Sequence, residues 1–548
     1  MAGSWTNVVQ VSPGGVGIDR ALLLSDGTVM AVQSACGTEC SSNWFKLTPD
    51  TNGRYVTGSW TPLHPMHYSR TYYASAVLTD GRVFVAGAEY GTPFLPENEG
   101  EIYNPLTDTW TETFAPTNLV DAQKGLGECE STLLPDGRLL LAPDTPASCG
   151  ETIIYDPKAD IWSAGSNLFR NCGIYEASWV KLPDDSVLVI DTYGTQSERY
   201  IPSLKNWVND TNVPVAVYDN FNPAEMGAAV LLPTGKALFL GGSGHTALYT
   251  PSGTTNAGSW TAGPDFPNPG GTNQLATADA PAAVMPNGKV LCAVSPASPT
   301  VQFTTPTTFC EYDPVANSFT VIAGPMNDFA TNRKPFTITM LALPDGNVLV
   351  CDGEARPYIY QPSGSPQPAW KPSISGITAN ANGSYHLTGT QLNGVSYGAA
   401  YGDDAQMDSN YPLVRMTDNT IGDVRYARTF NWSSTSVQTG SRPVSTEFAL
   451  PYQFLNRGPH QYSLVAVANG IASDPVTFYG PVWVDFNYVG ATQDGSFAFP
   501  YKTLTNGISA CPANGSIFCK GPASHRETPR ITKAMSILAY GGTVTVGR

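Results

Sequence analysis

The chain has 548 residues, a formal net charge of −16 and only 14% charged residues. A chain so acidic and so sparsely charged offers no basic face, which excludes sequence-independent binding to nucleic acid or anionic lipid. With 41% hydrophobic residues alongside 53 glycines and 45 prolines, it reads as a turn-rich β protein with a real core, not a disordered chain. No apolar run is long enough to span a bilayer. Met1 to Gln10 lacks the basic and apolar regions of a signal peptide.

Taken in chain order, one pattern recurs seven times. It begins with ALLLSDGTVMAV from Ala21, SAVLTDGRVFVAG from Ser75, STLLPDGRLLLAP from Ser131 and WVKLPDDSVLVID from Trp179. AVLLPTGKALFLGG from Ala229, AAVMPNGKVLCAV from Ala282 and MLALPDGNVLVCDG from Met340 complete it. Each copy is an apolar strand, a turn that needs positive φ, and a second β-branched or aliphatic strand, which predicts an antiparallel hairpin. A third strand carries a tyrosine before proline at Tyr103, Tyr155, Tyr200, Tyr249 and Tyr312. A fourth starts at an aromatic residue: Trp60, Trp110, Trp162, Trp207, Trp260 or Phe319. The mean period is about 53 residues, near the roughly 50 of kelch repeats. Four strands cannot bury both faces alone, whereas seven such sheets packed radially can, and that is a seven-bladed β-propeller over 1–371. Trp5 has fourth-strand spacing without a first three strands. It is expected to complete the seventh blade and close the ring.

The period stops after Trp370. Residues 372–480 alternate in short segments, SYHLTGTQL, TEFALPYQF and QYSLVAVANG, which predicts an immunoglobulin-like β-sandwich. Residues 481–548 form a short Gly-rich β segment. The ten cysteines contain no C-x-x-C and point to an oxidising, extracellular or cell-surface setting. Cys36–Cys40, Cys292–Cys310 and Cys511–Cys519 are the expected bridges, the second on adjacent antiparallel strands.

The candidate site comes from the repeat itself. Seven to ten positions before each turn glycine, where the innermost strand starts, stand Asp19, Tyr72, Glu128 with Glu130, Glu176, Glu225 and Asp279. The seventh blade offers Arg333 and Lys334 slightly earlier. Symmetry should bring these groups to one mouth of the channel. Converging carboxylates repel, raise one another's pKa or recruit a cation such as Ca²⁺. Alternatively they bond to neighbouring backbone and anchor the strand starts. Arg70 and Tyr73 flank Tyr72 and are expected to add a hydrogen-bonding or sugar-stacking edge. Gly242-Ser243-Gly244 lies between strands, so it is not a hydrolase elbow. His64 and His67 are expected to cap a loop.

Arg70-Thr71-Tyr72-Tyr73 with TDGRVFVAG, and later YPLVRMTD and YSLVAVANGIASDP, resemble the galactose oxidase and glyoxal oxidase family. The chain also resembles secreted bacterial kelch proteins with a C-terminal early-set sandwich. The tail from Trp483 resembles the opening coil of right-handed β-helix proteins. The family likeness implies one copper held by a tyrosine crosslinked to a cysteine, a Tyr-His pair and a sandwich histidine. Carried over by offset from the turn glycines, the crosslinked tyrosine falls on Tyr72. Its cysteine falls on Ile18, and the Tyr-His pair on Phe336-Thr337. His386 and His460 match neither in position nor in context.

No redox cofactor is therefore expected. The sequence reads as a non-catalytic extracytoplasmic binding or assembly protein, recognising carbohydrate or a protein surface, with self-association through the tail. The alternatives are a copper oxidase and a propeller hydrolase or lyase built from axial acids.

Overall fold

The structure is a computed structural model. It describes residues 2–34, 40–91, 98–120, 125–143, 150–170, 177–219, 221, 225–271, 274–325, 333–397, 399–401, 405–406 and 410–547. The fold is all-β, with a seven-bladed propeller, a sandwich and a short parallel-coil tail.

The innermost strands of the seven blades are Ile18–Leu23, Ala74–Val77, Glu130–Leu133, Val180–Lys181, Met226–Leu231, Pro281–Val284 and Thr339–Ala342. Each turns tightly into its neighbour. In the first, Gly27 N donates to Leu24 O at 2.9 Å and Leu24 N to Thr28 O at 2.7 Å, while Asp26 Oδ1 accepts from Thr28 N at 3.0 Å. Gly27 sits at φ 73° and Gly346 at φ 89°, which explains why the turn asks for glycine. The blades are stapled within themselves by cross-strand aromatic pairs. Tyr155 opposes Trp162 with ring centres 4.5 Å apart, and Tyr249 opposes Trp260 at 4.9 Å. The same tryptophans bond to the preceding blade: Trp162 Nε1 donates to Thr113 Oγ1 at 2.8 Å and Trp260 Nε1 to Ser197 Oγ at 3.0 Å. One residue type therefore holds a blade together and packs blade on blade.

Ring closure follows the expectation. Strand Ser4–Asn7 pairs with Tyr358–Gln361, Trp5 opposite Tyr360. The Trp5 ring packs 4.7 Å from Tyr360, and its Nε1 donates to Ala323 O at 2.7 Å in blade six.

Strands between Ser373 and Tyr479 form one hydrogen-bonded sheet of eight strands. It folds over a single core that joins Tyr385 and Leu387 to Val414, Phe448, Leu464 and Phe478. This sandwich caps the propeller face that carries the tight turns. Thr429 N donates to Ser25 O at 3.0 Å, Trp432 N to Thr79 O at 3.3 Å, Thr435 Oγ1 to Leu134 O at 2.7 Å and Gln438 Nε2 to Leu232 O at 2.9 Å. Nothing in the sequence pattern announces the finger that the sandwich sends into the propeller. Residues 399–401 add to the inner edge of blade six, Tyr401 opposite Pro281, and turn back through 405–406. This finger packs against the inner strands of blades two, three, five and seven as well. It rises from the capped face and fills the channel.

In the tail, Val482–Val484, Gly515–Lys520 and Met535–Tyr540 run parallel, and Ala523–His525 pairs parallel with Val544–Val546. One face of the first ladder, Trp483 and Phe518, joins the sandwich core. The other, with Val482, Val484, Ile517 and Cys519, encloses helix Leu504–Ala510.

The expected bridges need correction. Cys292 and Cys310 do face each other across paired strands, but both are thiols, as are Cys511, Cys519 and Cys40. Burial pushes the thiols of Cys292, Cys310, Cys511 and Cys519 up, Cys310 to about 12 and Cys511 and Cys519 to about 11. Protonated thiols in apolar surroundings pack as small hydrophobes. Cys36 lies outside the described residues.

Asp345, in the turn of blade seven, is pushed up to about 6 by burial. The folded state thus binds more protons than the unfolded one between about pH 4 and 6, and stability falls as the pH rises through that window. Asp345→Asn keeps the acceptor for Asn347 N. It should stabilise the protein by up to roughly 2 kcal/mol at pH 7 and by nothing at pH 4. Urea unfolding at the two pH values checks this.

Candidate functional site

The propeller has two unlike faces. One is capped by the sandwich. The other is built from the loops that lead into the innermost strands, and the predicted mouth residues lie there.

Tyr72 stands at φ 53°, a conformation costly for a bulky side chain. The Arg20 guanidinium lies 4.2 Å from its ring centre, and the Tyr90 ring meets it edge-on at 6.2 Å. Tyr90 is placed by a small hairpin in which Thr71 opposes it, closed by Glu89 N donating to Tyr72 O at 3.0 Å. Arg20 in turn donates to Asp19 Oδ2 at 3.1 Å. In the loop that enters blade seven, Phe336 packs on Phe303 at 4.7 Å, with Lys334 Nζ 5.7 Å from the Phe336 ring. On the loops of the same face, Tyr90 in blade two is 44% exposed, and Tyr193 and Phe169 in and before blade four are 52% and 61% exposed. Such a rim offers apolar faces with polar edges.

The acids are largely engaged. Glu225 Oε1 accepts from Gln302 Nε2 at 3.2 Å, and Glu225 N donates to Asp219 Oδ1 at 3.2 Å. Asp279, at φ 46°, is tied to blade five by its N donating to Met226 O at 2.8 Å. Glu128 is half-buried and Glu130 buried at the entrance to blade three. Arg333 pairs with Asp352 and Glu354. Glu176 lies outside the described residues. These partners favour the anchoring reading of the acids over an open ring of carboxylates, and among the described residues no three His, Cys, Asp or Glu gather to hold a metal.

Two flanking residues are not at the mouth. Arg70 is buried, its Nη2 donating to Glu101 Oε1 at 2.8 Å and its Nη1 to Gly87 O at 2.9 Å. Tyr73 is buried in the core shared by blades one, two and seven. Both side chains are taken up in the interior, so neither supplies a ligand edge. His67 Nδ1 lies 2.8 Å from Oε2 of the strand residue Glu101 and His64 Nδ1 3.0 Å from Asp108 Oδ2, so each histidine is engaged by a carboxylate.

Sequence reasoning missed Arg20, Tyr90 and Phe303. Their signal was weak: each lies off the repeat's regular positions, and only Tyr90 follows the turn glycine of its copy closely.

No family model matches the chain. A galactose oxidase of Gibberella zeae is 42% identical over 53 residues, 10% of this chain and 8% of that protein. An F-box/kelch-repeat protein of Arabidopsis thaliana is 42% identical over 57 residues, 10% of this chain and 16% of that one. The chain therefore spans only a small part of the curated relatives it matches. The propeller is kelch-like and similar to that of galactose oxidase. Among solved structures, a fungal alcohol oxidase of the AA5 family in complex with copper covers 87% of this chain and 99% of its own, at TM-score 0.47 and 14% identity. A streptogramin B lyase covers 66% and 99%, at 0.44 and 13%.

The residues at hand do not fit a copper-radical centre. Ile18 is fully buried in the core and has no sulfur to offer Tyr72. Phe336 has no phenol, and Thr337 Oγ1 donates to Lys334 O at 2.8 Å. Tyr72 alone has donor chemistry of the right kind.

Proposed function

We propose that the chain is a non-catalytic, extracytoplasmic binding protein whose open propeller mouth recognises a neutral carbohydrate. The observation that carries this reading is the partly exposed aromatic rim around Tyr72, strained in backbone, stacked by Arg20 and bordered by acids that already have partners. Aromatic faces take the C–H face of a sugar, and partnered carboxylates and amides give fixed acceptors for its hydroxyls. Tyr90→Ala should weaken retention on neutral polysaccharide gels about tenfold or more, a loss of about 1.4 kcal/mol or more, and retention should persist in EDTA. Unchanged retention of this variant would sink the reading.

A second reading, assembly into a surface structure, has its own observation. Among the described residues nothing pairs with the outer edge of Met535–Tyr540, where Ile537, in register with buried Ile517, is 38% exposed. Unpaired edges of this kind template association. Ile537→Lys should convert any concentration-dependent oligomer to monomer in light scattering. A strictly monomeric parent chain counts against assembly.

A further inference from the structure

A cleft on the opposite, capped face carries chemistry that the mouth does not use. Between the tight turns of blades three and four opens a cavity of about 340 Å³, lined among others by Pro135, Asp136, Arg138, Asp185, Pro202 and Lys205. It adjoins a second, about 440 Å³, between blades four and five, and Asp184 lines both. Volumes of this size suit small ligands.

Asp185 is the anomaly of the repeat. At its place in the turn the other six blades have glycine, at φ between 73° and 89°, whereas Asp185 adopts φ 67°. Glycine reaches this conformation freely, and a residue with a Cβ does not. Asp185 lines the cleft, and its carboxylate Oδ1 is buried without a hydrogen-bond partner. A buried acceptor left unsatisfied is costly unless something supplies a donor. Local sequence rules broken without an internal gain mark functional positions.

The rest of the wall says what kind of donor. Asp136 is held by Arg138, Nε to Oδ2 at 2.9 Å. Asp184 takes Arg199 Nη1 at 3.3 Å and Ser186 Oγ at 2.6 Å. No ion pair among the described residues holds Lys205, which stands exposed on the rim. With buried Asp210, which Arg199 Nε holds at 2.6 Å, four carboxylates meet two guanidinium groups and one ammonium, a wall close to neutral that favours neither an anion nor a polycation. Acceptors and donors share the lining with half-buried Pro135 and Pro202, which add apolar surface. A ligand with many hydroxyls, each able to donate and accept, and with one C–H face, satisfies all of these groups at once. We propose that this cleft is a second carbohydrate site, taking one pyranose unit of a neutral glycan, with the Asp185 carboxylate accepting a sugar hydroxyl.

The test uses the full chain carrying Tyr90→Ala, so that the mouth is disabled separately. Methyl glucopyranoside, methyl galactopyranoside and N-acetylglucosamine are titrated at millimolar concentration by saturation-transfer NMR. At least one should bind, and Asp185→Gly in the same background should weaken it about tenfold or more, the effect of losing a charge-assisted hydrogen bond. Asp185→Gly restores the repeat's own turn residue, so its melting temperature should hold or rise. Absence of binding by all three sugars to the Tyr90→Ala chain overturns the proposal, as does equal binding by the Asp185→Gly chain.

Discussion

Deleting residues 1–12 should cost the propeller about 5 kcal/mol or more and leave it prone to aggregation. The deletion removes the outer strand of blade seven, Ser4–Asn7. With it go the Trp5 contacts to Tyr360 and Phe309, with ring centres 4.7 and 4.8 Å away. It also uncovers the cavity of Val8, which is fully buried, and breaks the bonds from Val8 N to Pro357 O and Val9 N to Val56 O. A partly buried tryptophan and a buried valine account for roughly 4 kcal/mol by themselves. The remainder comes from exposing the ladder edge of Tyr358–Gln361, which then templates pairing with other chains. Trp5→Ala alone should cost about 2 kcal/mol. Chemical denaturation of the two variants beside the parent chain reads these differences, and an unchanged midpoint for the deletion would contradict ring closure by the N-terminal strand.

Arg70→Met should destabilise the protein by about 3–5 kcal/mol, because removing one partner of a buried ion pair strands the other. Arg70 and Glu101 are both fully buried and 2.8 Å apart. Glu99, two residues along the same strand, is also buried, and burial holds its carboxyl above the usual range while Arg70 opposes that rise. Without the guanidinium the Glu99 carboxyl rises further. A carboxyl raised in the folded state contributes stability below its unfolded pKa and loses it as the pH climbs. The Arg70→Met deficit should therefore be smaller near pH 4 than at pH 7. Adding Glu101→Gln should recover part of the loss at neutral pH, since the stranded charge is gone. A deficit that is independent of pH and unmoved by Glu101→Gln would mean that Arg70 acts through packing alone.

What was legible in the chain is what local physics dictates. Gly27, Gly81 and Gly137 stand where a two-strand turn requires positive φ, and each requirement is met within five residues. Trp5 could be assigned to blade seven because its spacing to Asp26 matches that of the other fourth-strand aromatics. Arg70 could not be placed from sequence, since its role rests on Glu101, 31 residues away, on another strand. The finger at 399–406 was equally hidden. Its backbone partner, Pro281–Val284, is remote in sequence, and Tyr397 through Asn410 shows neither strand nor helix period. The mouth was half legible. The repeat offset found Tyr72, Glu225 and Asp279, but Arg20 and Phe303 reach the rim from positions the offset does not visit.

The finger also bears on how the chain is made. Ring closure joins residues as far apart as Gly3 and Tyr360, 357 positions along the chain. The first strand must therefore wait, unpaired, until almost the whole propeller has left the ribosome. The finger follows only some tens of residues later. Both of its ends, Tyr397 and Asn410, lie on the capped side, where Tyr397 N donates to Leu231 O at 3.1 Å and Asn410 Nδ2 to Asn393 O at 2.8 Å. It enters the ring like a cork, not a thread, so no knot arises and the ring can close before or after it docks. Closure and corking thus fall within some tens of residues of one another, and such long-range pairings form slowly. The interval in which the early blades stand open is set by translation of the later blades up to Gln361, and that interval is when a cell's chaperones have most to protect.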